Sequence, residues 1–310
     1  MDYNQHKYQT AHITMKNTSS GSSANPLTGN NGVVSTDMKH TTRQHRPLAA
    51  FLYAGPIGIL GGLIGLGGAE FRLPVLAGPL HYSAKQAVPL NLAVSIITLL
   101  ASLAIRGHYL SFQPLTPLLP TIFALIGGGV FAAFFGPALA VCMSNKRLER
   151  IILILLVGIG TALIADGLLP QGFRSALPNQ PILWIIAGVL FGLGIGLVSS
   201  LLGVAGGELI IPTMVFAFGA DIKTAGTASL LISLPTVAMG IFRYARRGAY
   251  AERGSLTKTV LPMGAGSVIG AIIGGLLVGI APQSWLKLGL GIILMVSAFR
   301  IFYHSRTTAH

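Results

Sequence analysis

Two long runs of this chain contain no charged residue: one extends from Gln113 to Asn145 and the other from Ser175 to Gly207. A helix needs about 20 apolar residues to cross the hydrocarbon core of a bilayer, so each run is long enough to span a membrane. Backbone polar groups find no partner in lipid, which leaves only helices and closed barrels as spanning structures. The runs are unbroken and rich in Gly, Leu and Ile rather than alternating, and this pattern favours helices over a barrel.

The composition extends this interpretation to most of the chain. Of 310 residues, 52% are hydrophobic and 9% are charged, whereas soluble domains carry about 25% charged residues. We therefore predict an all-α polytopic membrane protein with about eight transmembrane segments. They fall at 48–80, 87–105, 114–141, 151–169, 181–219, 224–242, 259–281 and 285–303. Residues 1–46 are polar and lack an apolar run, so we predict that they form a disordered tail.

The formal net charge of +13 reflects topology rather than nucleic-acid binding. Basic residues lie in short clusters between the apolar segments, without the interleaved aromatic residues that stack on bases. Eight straight crossings with a cytoplasmic N-terminus place twelve flanking Lys and Arg residues inside and six outside. This excess predicts a protein of the plasma (inner) membrane with both termini in the cytoplasm, although the cluster at 146–150 opposes it locally.

Cys142 is the only cysteine, which excludes a disulfide framework.

The chain contains an internal duplication. Residues 64–74 read IGLGGAEFRLP and residues 202–212 read LGVAGGELIIP. An ungapped alignment of the two motifs pairs Gly68 with Gly206, Glu70 with Glu208 and Pro74 with Pro212. We therefore predict two duplicated four-helix halves, at 47–170 and 181–304. Four crossings per half predict parallel halves, related by a pseudo-twofold axis along the membrane normal.

The first segment of each half is too long for one straight helix and is interrupted by this Gly-Gly-Glu-Pro-type motif. Interrupted segments at matching positions of two halves are the best sequence indication of a transporter's substrate site. An unwound backbone leaves N–H groups unpaired, and a helix that restarts there favours an anion. We therefore predict an anion site at Gly67, Gly68, Gly206 and Gly207. The alternative is that these glycines only permit close helix packing.

Ionisable residues in a membrane span are functional candidates by default, and here they are Glu70, Arg72 and Glu208. Arg72 has no counterpart in the second half, and contact with substrate, pairing with Glu70 and a position at the lipid headgroups all remain open. Polar side chains also form two matching stripes, at Asn91, Ser95 and Thr98 and at Ser229, Ser233 and Thr236. They either line the cavity or form hydrogen bonds between helices. The predicted substrate-binding set is Gly67, Gly68, Glu70, Arg72, Asn91, Ser95, Gly206, Gly207, Glu208, Ser229 and Ser233.

The two glutamates raise a question of charge. Permanent negative charges beside an anion site would repel the substrate, and desolvation favours the protonated carboxyl group. One hypothesis is that Glu70 and Glu208 exchange protons during transport. The other is that they hold the breaks in place without titrating. Asp166, His81 and His108 lie at segment ends and are interpreted as structural, and we predict no metal site and no cofactor.

At these residues the sequence resembles the TauE/SafE family of membrane permeases, often called sulfite exporters. The similarity lies in LGGAEFRLP at 66–74, VAGGELIIP at 204–212, AGTASLLIS at 225–233 and the duplicated layout, and it covers about residues 48–304. Ala69 stands where a further glycine is frequent in the family. The resemblance implies a secondary carrier for small sulfur-containing anions, such as sulfite or organosulfonates, working by alternating access in the lipid bilayer.

Two other functions stay open at this stage. The first is a cation or metal-ion carrier in which Glu70 and Glu208 are ligands, and the lack of supporting His or Asp residues argues weakly against it. The second is an intramembrane enzyme, which the absence of HExxH and GxSxG patterns disfavours. We therefore predict a transporter that is not an enzyme.

Overall fold

The computed structural model describes residues 46–140, 145–168, 176–178, 180–202 and 204–307. Within helices, residues 84–85, 136–140, 145–152, 155–156, 201–202 and 297–307 are described by their backbone alone. The predicted disordered tail at 1–46 therefore lies outside the described residues, apart from Arg46, and so does Cys142.

Helices account for nearly all of the described chain, and no strand occurs in it. In order they are α1 (Pro47–Ile64), α2 (Ala69–Ala77), α3 (Ala84–Tyr109), a 3₁₀ turn (Gln113–Leu118), α4 (Leu119–Ala140), α5 (Asn145–Leu168), α6 (Pro181–Leu202), α7 (Gly207–Pro212), a π turn (Thr213–Ala217), α8 (Ile222–Arg246), α9 (Arg253–Ser255), a π turn (Leu256–Val260), α10 (Leu261–Ile280) and α11 (Gln283–Thr307). The predicted all-helical membrane architecture is confirmed.

Six stretches of the described chain are long and apolar enough to cross a bilayer, and they correspond to α1, α3, α4 with its 3₁₀ turn, α6, α8, and α9 to α10. Val157–Leu168 of α5, Gln283–Val296 of α11, and Gly207–Ala217 are shorter apolar helices. Helices such as α1, α4 and α6 are apolar on all sides, as expected for segments that face lipid on one side and other helices on the other.

Both predicted helix interruptions are present. Helix α1 ends at Ile64, and Gly65, Gly67 and Gly68 adopt left-handed backbone conformations with φ of 96°, 74° and 72°. In the second half, Gly206 has φ of 77° immediately before α7. Only glycine adopts this region without a steric penalty, so the glycine pattern ends each helix locally.

Glycines also bring two pairs of helices into backbone contact. Helix α1 packs along α10, and a Cβ atom added at Gly270 would lie 2.1 Å from the Gly55 carbonyl oxygen. Helix α4 packs along α6 in the same way, since a Cβ atom at Gly192 would lie 2.5 Å from the Leu125 carbonyl oxygen. Residue numbers rise together in both pairs, so the helices of each pair run parallel.

The central pair, α3 and α8, runs antiparallel, and this corrects the predicted relation between the halves. Arg106, near the end of α3, bonds Thr227 near the start of α8, whereas Gly240 near the end of α8 packs on Leu92 near the start of α3. Equivalent helices of parallel halves would run in the same direction. Helices α3 and α8, which the alignment of the two motifs pairs, therefore run in opposite directions, and the predicted parallel relation is wrong.

The opposite directions follow from the path of the chain at the first break. Helix α2 begins beside Ile57, seven residues before the end of α1, because a Cβ atom at Gly68 would lie 2.7 Å from the Ile57 side chain. The chain has thus turned back, and α2 leads through 78–83 into α3, which runs parallel to α1. Helices α1 and α2 therefore form a hairpin rather than one bent crossing.

Candidate functional site

The first break is the segment between α1 and α2, and the second break is the segment between α6 and α7. The two breaks meet at the middle of the bundle. A Cβ atom at Gly207 would lie 3.0 Å from the Leu66 Cα atom, and one at Gly67 would lie 4.0 Å from the Ala205 Cβ atom. Gly65 approaches α8 equally closely, because its added Cβ atom would lie 2.4 Å from the Gly226 carbonyl oxygen. Equivalent segments of the two halves, far apart in the sequence, therefore form one continuous contact.

Arg72 organises the first break. Its side chain is fully buried, and Nη2 donates to the Gly67 carbonyl oxygen at 2.7 Å and to Ser95 Oγ at 2.8 Å. The remaining bonds run from Nη1 to Thr98 Oγ1 at 3.0 Å and Ser267 Oγ at 3.4 Å, and from Nε to Asn91 Oδ1 at 3.3 Å.

These five bonds use all five N–H groups of the guanidinium. None of them goes to Glu70, which acts on Arg72 electrostatically and without a hydrogen bond. Burial excludes the headgroup position, so that possibility left open by the sequence is wrong. In this conformation no N–H group of Arg72 is left for an anion. Its role here is to tie the break to α3 and α10.

The two glutamates differ in their surroundings. Both carboxylate oxygens of Glu70 are buried, and no other residue of the described chain donates a hydrogen bond to them. The carboxyl group interacts with its own backbone and, electrostatically, with Arg72. Glu208 lies at the equivalent position of α7 and is half-buried. A buried carboxylate without a hydrogen-bond donor is costly to keep ionised.

The polar stripes of α3 and α8 each bind the break beside them. Asn91 Nδ2 donates to the Ala69 carbonyl oxygen at 3.0 Å, and Ser233 Oγ donates to the Ala205 carbonyl oxygen at 2.9 Å. Ser229 Oγ is buried without a partner among the described residues, and it lies 3.1 Å from where a Cβ atom of Gly207 would stand. The other stripe hydroxyls, of Ser95, Thr98 and Thr236, donate to backbone carbonyl groups of their own helices, so Ser229 is the polar group left over.

Arg106 is a second buried arginine, which the sequence indicated only as a flanking charge. Its Nε and Nη2 atoms donate to the carbonyl oxygens of Gly62 at 3.1 Å and Leu63 at 2.8 Å, at the end of α1. Its Nη1 atom donates to the Lys223 carbonyl oxygen at 3.2 Å and to Thr227 Oγ1 at 3.1 Å. A cation at these unpaired carbonyl groups stabilises the C-terminal end of the broken helix.

Two adjoining cavities border the second break. The larger has an empty volume of about 490 Å³, including its open mouth, and is lined by residues of α3, α4, α6 and α8. The smaller, of about 240 Å³, reaches Ala205 and Ile210 and shares Ser199 and Thr236 with the larger. The sequence indicated Thr236 as part of a polar stripe, but assigned Arg243 and Arg247 in the larger cavity only to a flanking loop.

The segment-end residues have structural contacts. Asp166 lies inside α5 rather than in a turn, and its carboxylate pairs with Lys287 Nζ of α11 at 2.6 Å. His81 and His108 are exposed, and the His108 ring packs edge-on against Tyr109 with ring centroids 4.9 Å apart.

The comparisons with known proteins agree with the resemblance seen in the motifs. The family model described as "Sulfite exporter TauE/SafE" matches residues 18–163 and 183–310, which is most of the chain and includes both broken segments. No curated protein and no solved structure matches the chain. On the extent of this match, the chain belongs to the TauE/SafE sulfite exporter family.

Proposed function

We propose that this protein is a secondary transporter that exports small sulfur-containing anions, such as sulfite or organosulfonates, by alternating access. The observation that carries the proposal is the contact between two broken hairpins at the middle of the bundle, Gly207 against Leu66. Irregular backbone at membrane depth occurs where it is buried in protein or lines a ligand path. Membership in the TauE/SafE family of membrane transporters supports sulfur-containing anions such as sulfite as the class of substrate.

We further propose that the halves are duplicated and inverted relative to each other, and that α5 and α11 complete eight transmembrane segments. The alignment of the two motifs makes α1, α2 and α3 correspond to α6, α7 and α8. The packing agrees with this correspondence if α4 is also equivalent to α10. The contact of α1 with α10 is then matched by that of α6 with α4, and the contact of α3 with α10 by that of α8 with α4. Helices of both halves are therefore interleaved, and the repeats at 47–170 and 181–304 are units of sequence rather than separate bodies.

The inverted arrangement also favours a cytoplasmic N-terminus in the plasma (inner) membrane. With the direction of each helix taken from the structure, twelve flanking Lys and Arg residues of the described chain share the face on which α1 begins, and three lie opposite. The twelve are Arg46, Lys85, Lys146, Arg147, Arg150, Arg243, Arg246, Arg247, Arg253, Lys258, Arg300 and Arg306, and the three are Arg106, Lys223 and Lys287. The cluster at 146–150 no longer opposes the positive-inside rule.

The proposed substrate site is the meeting point of the breaks, around Gly67, Gly68, Gly206 and Gly207. Ser229 adds a buried hydroxyl without a partner in the described chain. Arg72, Asn91, Ser95 and Ser233 hold the loops that form this point. Small oxyanions suit such a site, because backbone N–H groups and hydroxyls donate to them without a fixed counter-charge.

Proton coupling is proposed at Glu70 and Glu208. The unpartnered carboxylate oxygens of Glu70 support it, since a proton on that group removes the cost of a buried charge. Replacement Glu70→Gln keeps the shape and cannot ionise. We expect it to retain anion binding and to abolish the dependence of flux on a pH gradient, and Glu208→Gln serves as the matched second variant. Unchanged gradient dependence in both variants and in the double variant would leave the glutamates with a structural role.

The function itself is tested by flux of radiolabelled sulfite in proteoliposomes that contain the purified full chain. We expect saturable sulfite movement that thiosulfate or organosulfonates compete with. We expect Gly206→Val to lose this movement, because the bulky side chain cannot adopt φ of 77°. Saturable movement of a divalent cation in place of sulfite would favour the alternative cation carrier. Chemical turnover of sulfite without movement would favour an enzyme.

A further inference from the structure

The larger cavity is lined by two arginines at its solvent-facing end. Arg243 and Arg247 both line it, one helical turn apart at the end of α8. Ser199, Ser200 and Thr236 line it deeper in, where their hydroxyl groups donate to backbone carbonyl oxygens. No carboxylate is among the described residues that line the cavity. Two like charges at this spacing repel each other, so an anion between them stabilises both.

Arg243 lines the cavity with unused hydrogen-bond donors. One Nη1 hydrogen bond goes to the Ala133 carbonyl oxygen of α4, which holds the guanidinium at the cavity wall. The arginine has four further N–H groups, and no other hydrogen bond of Arg243 occurs within the described chain. Arg72 and Arg106, in contrast, direct their guanidinium groups at protein acceptors.

The lining residues also connect this cavity to the breaks. Val204, two residues before Gly206, lies in its wall, and the smaller cavity continues past Ser199 and Thr236 to Ala205. An anion held by the arginines would therefore lie at the solvent-facing end of a path that leads to the second break.

The equivalent place in the other half is filled. In the alignment of the two halves, Ser199 and Ser200 correspond to Gly61 and Gly62, and Arg247 corresponds to Arg106 after a three-residue insertion. There the Arg106 guanidinium occupies the space against α1 and donates to Gly62 and Leu63. A cavity beside one break and a buried side chain beside the other is the asymmetry expected when a transporter opens to one face.

We propose that the cavity between α3, α4, α6 and α8 is an anion-binding site, in which Arg243 and Arg247 take a small oxyanion of the sulfite or sulfonate class from the cytoplasmic face. This inference rests on the proposed function, which supplies the substrate class and the orientation. Bidentate guanidinium donors suit the oxygen edge of such anions.

The test measures equilibrium binding of radiolabelled sulfite to the purified full chain in nanodiscs. We expect Arg243→Gln and Arg247→Gln each to raise the Kd about tenfold, and the double variant to raise it further. Arg246→Gln is the matched control, because Arg246 lies on the same helix but stacks on the Phe242 ring, with its Cζ atom 4.4 Å from the centroid. Its Kd should equal that of the parent.

A second measurement does not depend on the arginine variants. In a Cys142→Ser background, Ser200→Cys should react with a sulfonate-bearing methanethiosulfonate reagent, and sulfite should slow the reaction. An unchanged Kd in the double arginine variant, or a reaction rate at Ser200→Cys that sulfite does not alter, would overturn the inference.

The outcomes separate this site from the proposed function. Sulfite flux that persists with an unchanged KM in the double arginine variant would overturn the site and leave the transporter standing. Arginine-dependent binding without flux in the parent would support the site and contradict transport. If the parent binds none of sulfite, thiosulfate and an organosulfonate, the site is overturned.

Discussion

At the scale of single residues, Arg72 shows how a membrane protein keeps a charge at its centre. Five neutral acceptors surround the guanidinium and take all of its hydrogen bonds, while the Glu70 carboxyl group interacts with it only electrostatically. Burial of an ion is tolerated when its hydrogen bonds are complete, and loss of one partner leaves the others unsatisfied.

We therefore expect Arg72→Lys to lower the free energy of unfolding by about 3 kcal/mol, because an ammonium group has three donors and cannot reach all five acceptors. The measurement is thermal unfolding of the purified variant. Ser267→Ala removes only the longest bond, at 3.4 Å, and should cost about 1 kcal/mol or less. Equal losses in the two variants would contradict the central role of Arg72.

At the scale of helices, the two parallel pairs, α1 with α10 and α4 with α6, form the most extensive helix contacts in the described bundle. Their backbones approach so closely that a single methyl group has no room, as at Gly270 beside the Gly55 carbonyl oxygen. Small residues of this kind drive association in membranes through close packing, since lipid is as apolar as a leucine side chain.

Helix α10 provides a matched pair of substitutions. Gly270→Ala places its methyl group 2.1 Å from that oxygen, so α1 and α10 must separate, and we expect a loss of about 2 kcal/mol. Gly279→Ala, further along the same helix, has nothing within 4 Å and should be neutral or stabilising by up to about 1 kcal/mol. Thermal unfolding of both variants checks the difference. Equal stability would mean that the glycine contact does not determine the packing.

At the scale of the whole molecule, the hairpin at the first break decides which loops share a membrane face. Ser83 follows α2 and Ala251 follows α8, and both lie at the end of the bundle where α1 begins. Ser111 follows α3 and Ser284 begins α11, and both lie at the opposite end. All four side chains are exposed.

Cysteine accessibility tests this arrangement in intact cells of a Cys142→Ser variant. We expect Ser111→Cys and Ser284→Cys to react with an impermeant maleimide from outside, and Ser83→Cys and Ala251→Cys to react only after permeabilisation. Eight straight crossings would instead pair Ser83→Cys with Ser284→Cys on the outer face. That pairing would contradict the inverted halves.

The sequence by itself determined the helical membrane architecture and the positions of both breaks, because the length of an apolar run and the left-handed conformation of glycine are local properties. Gly65 ends α1, and Gly68 and Gly206 precede the start of α2 and α7, for reasons visible within a few residues. The tertiary structure alone decided the direction of the second half, since an apolar segment of the same length suits a bent crossing or a hairpin. It also decided the surroundings of the arginines. Arg72 is saturated and Arg243 lines a cavity because of where α3, α4 and α10 lie, and those positions depend on backbone contacts between residues far apart in the chain.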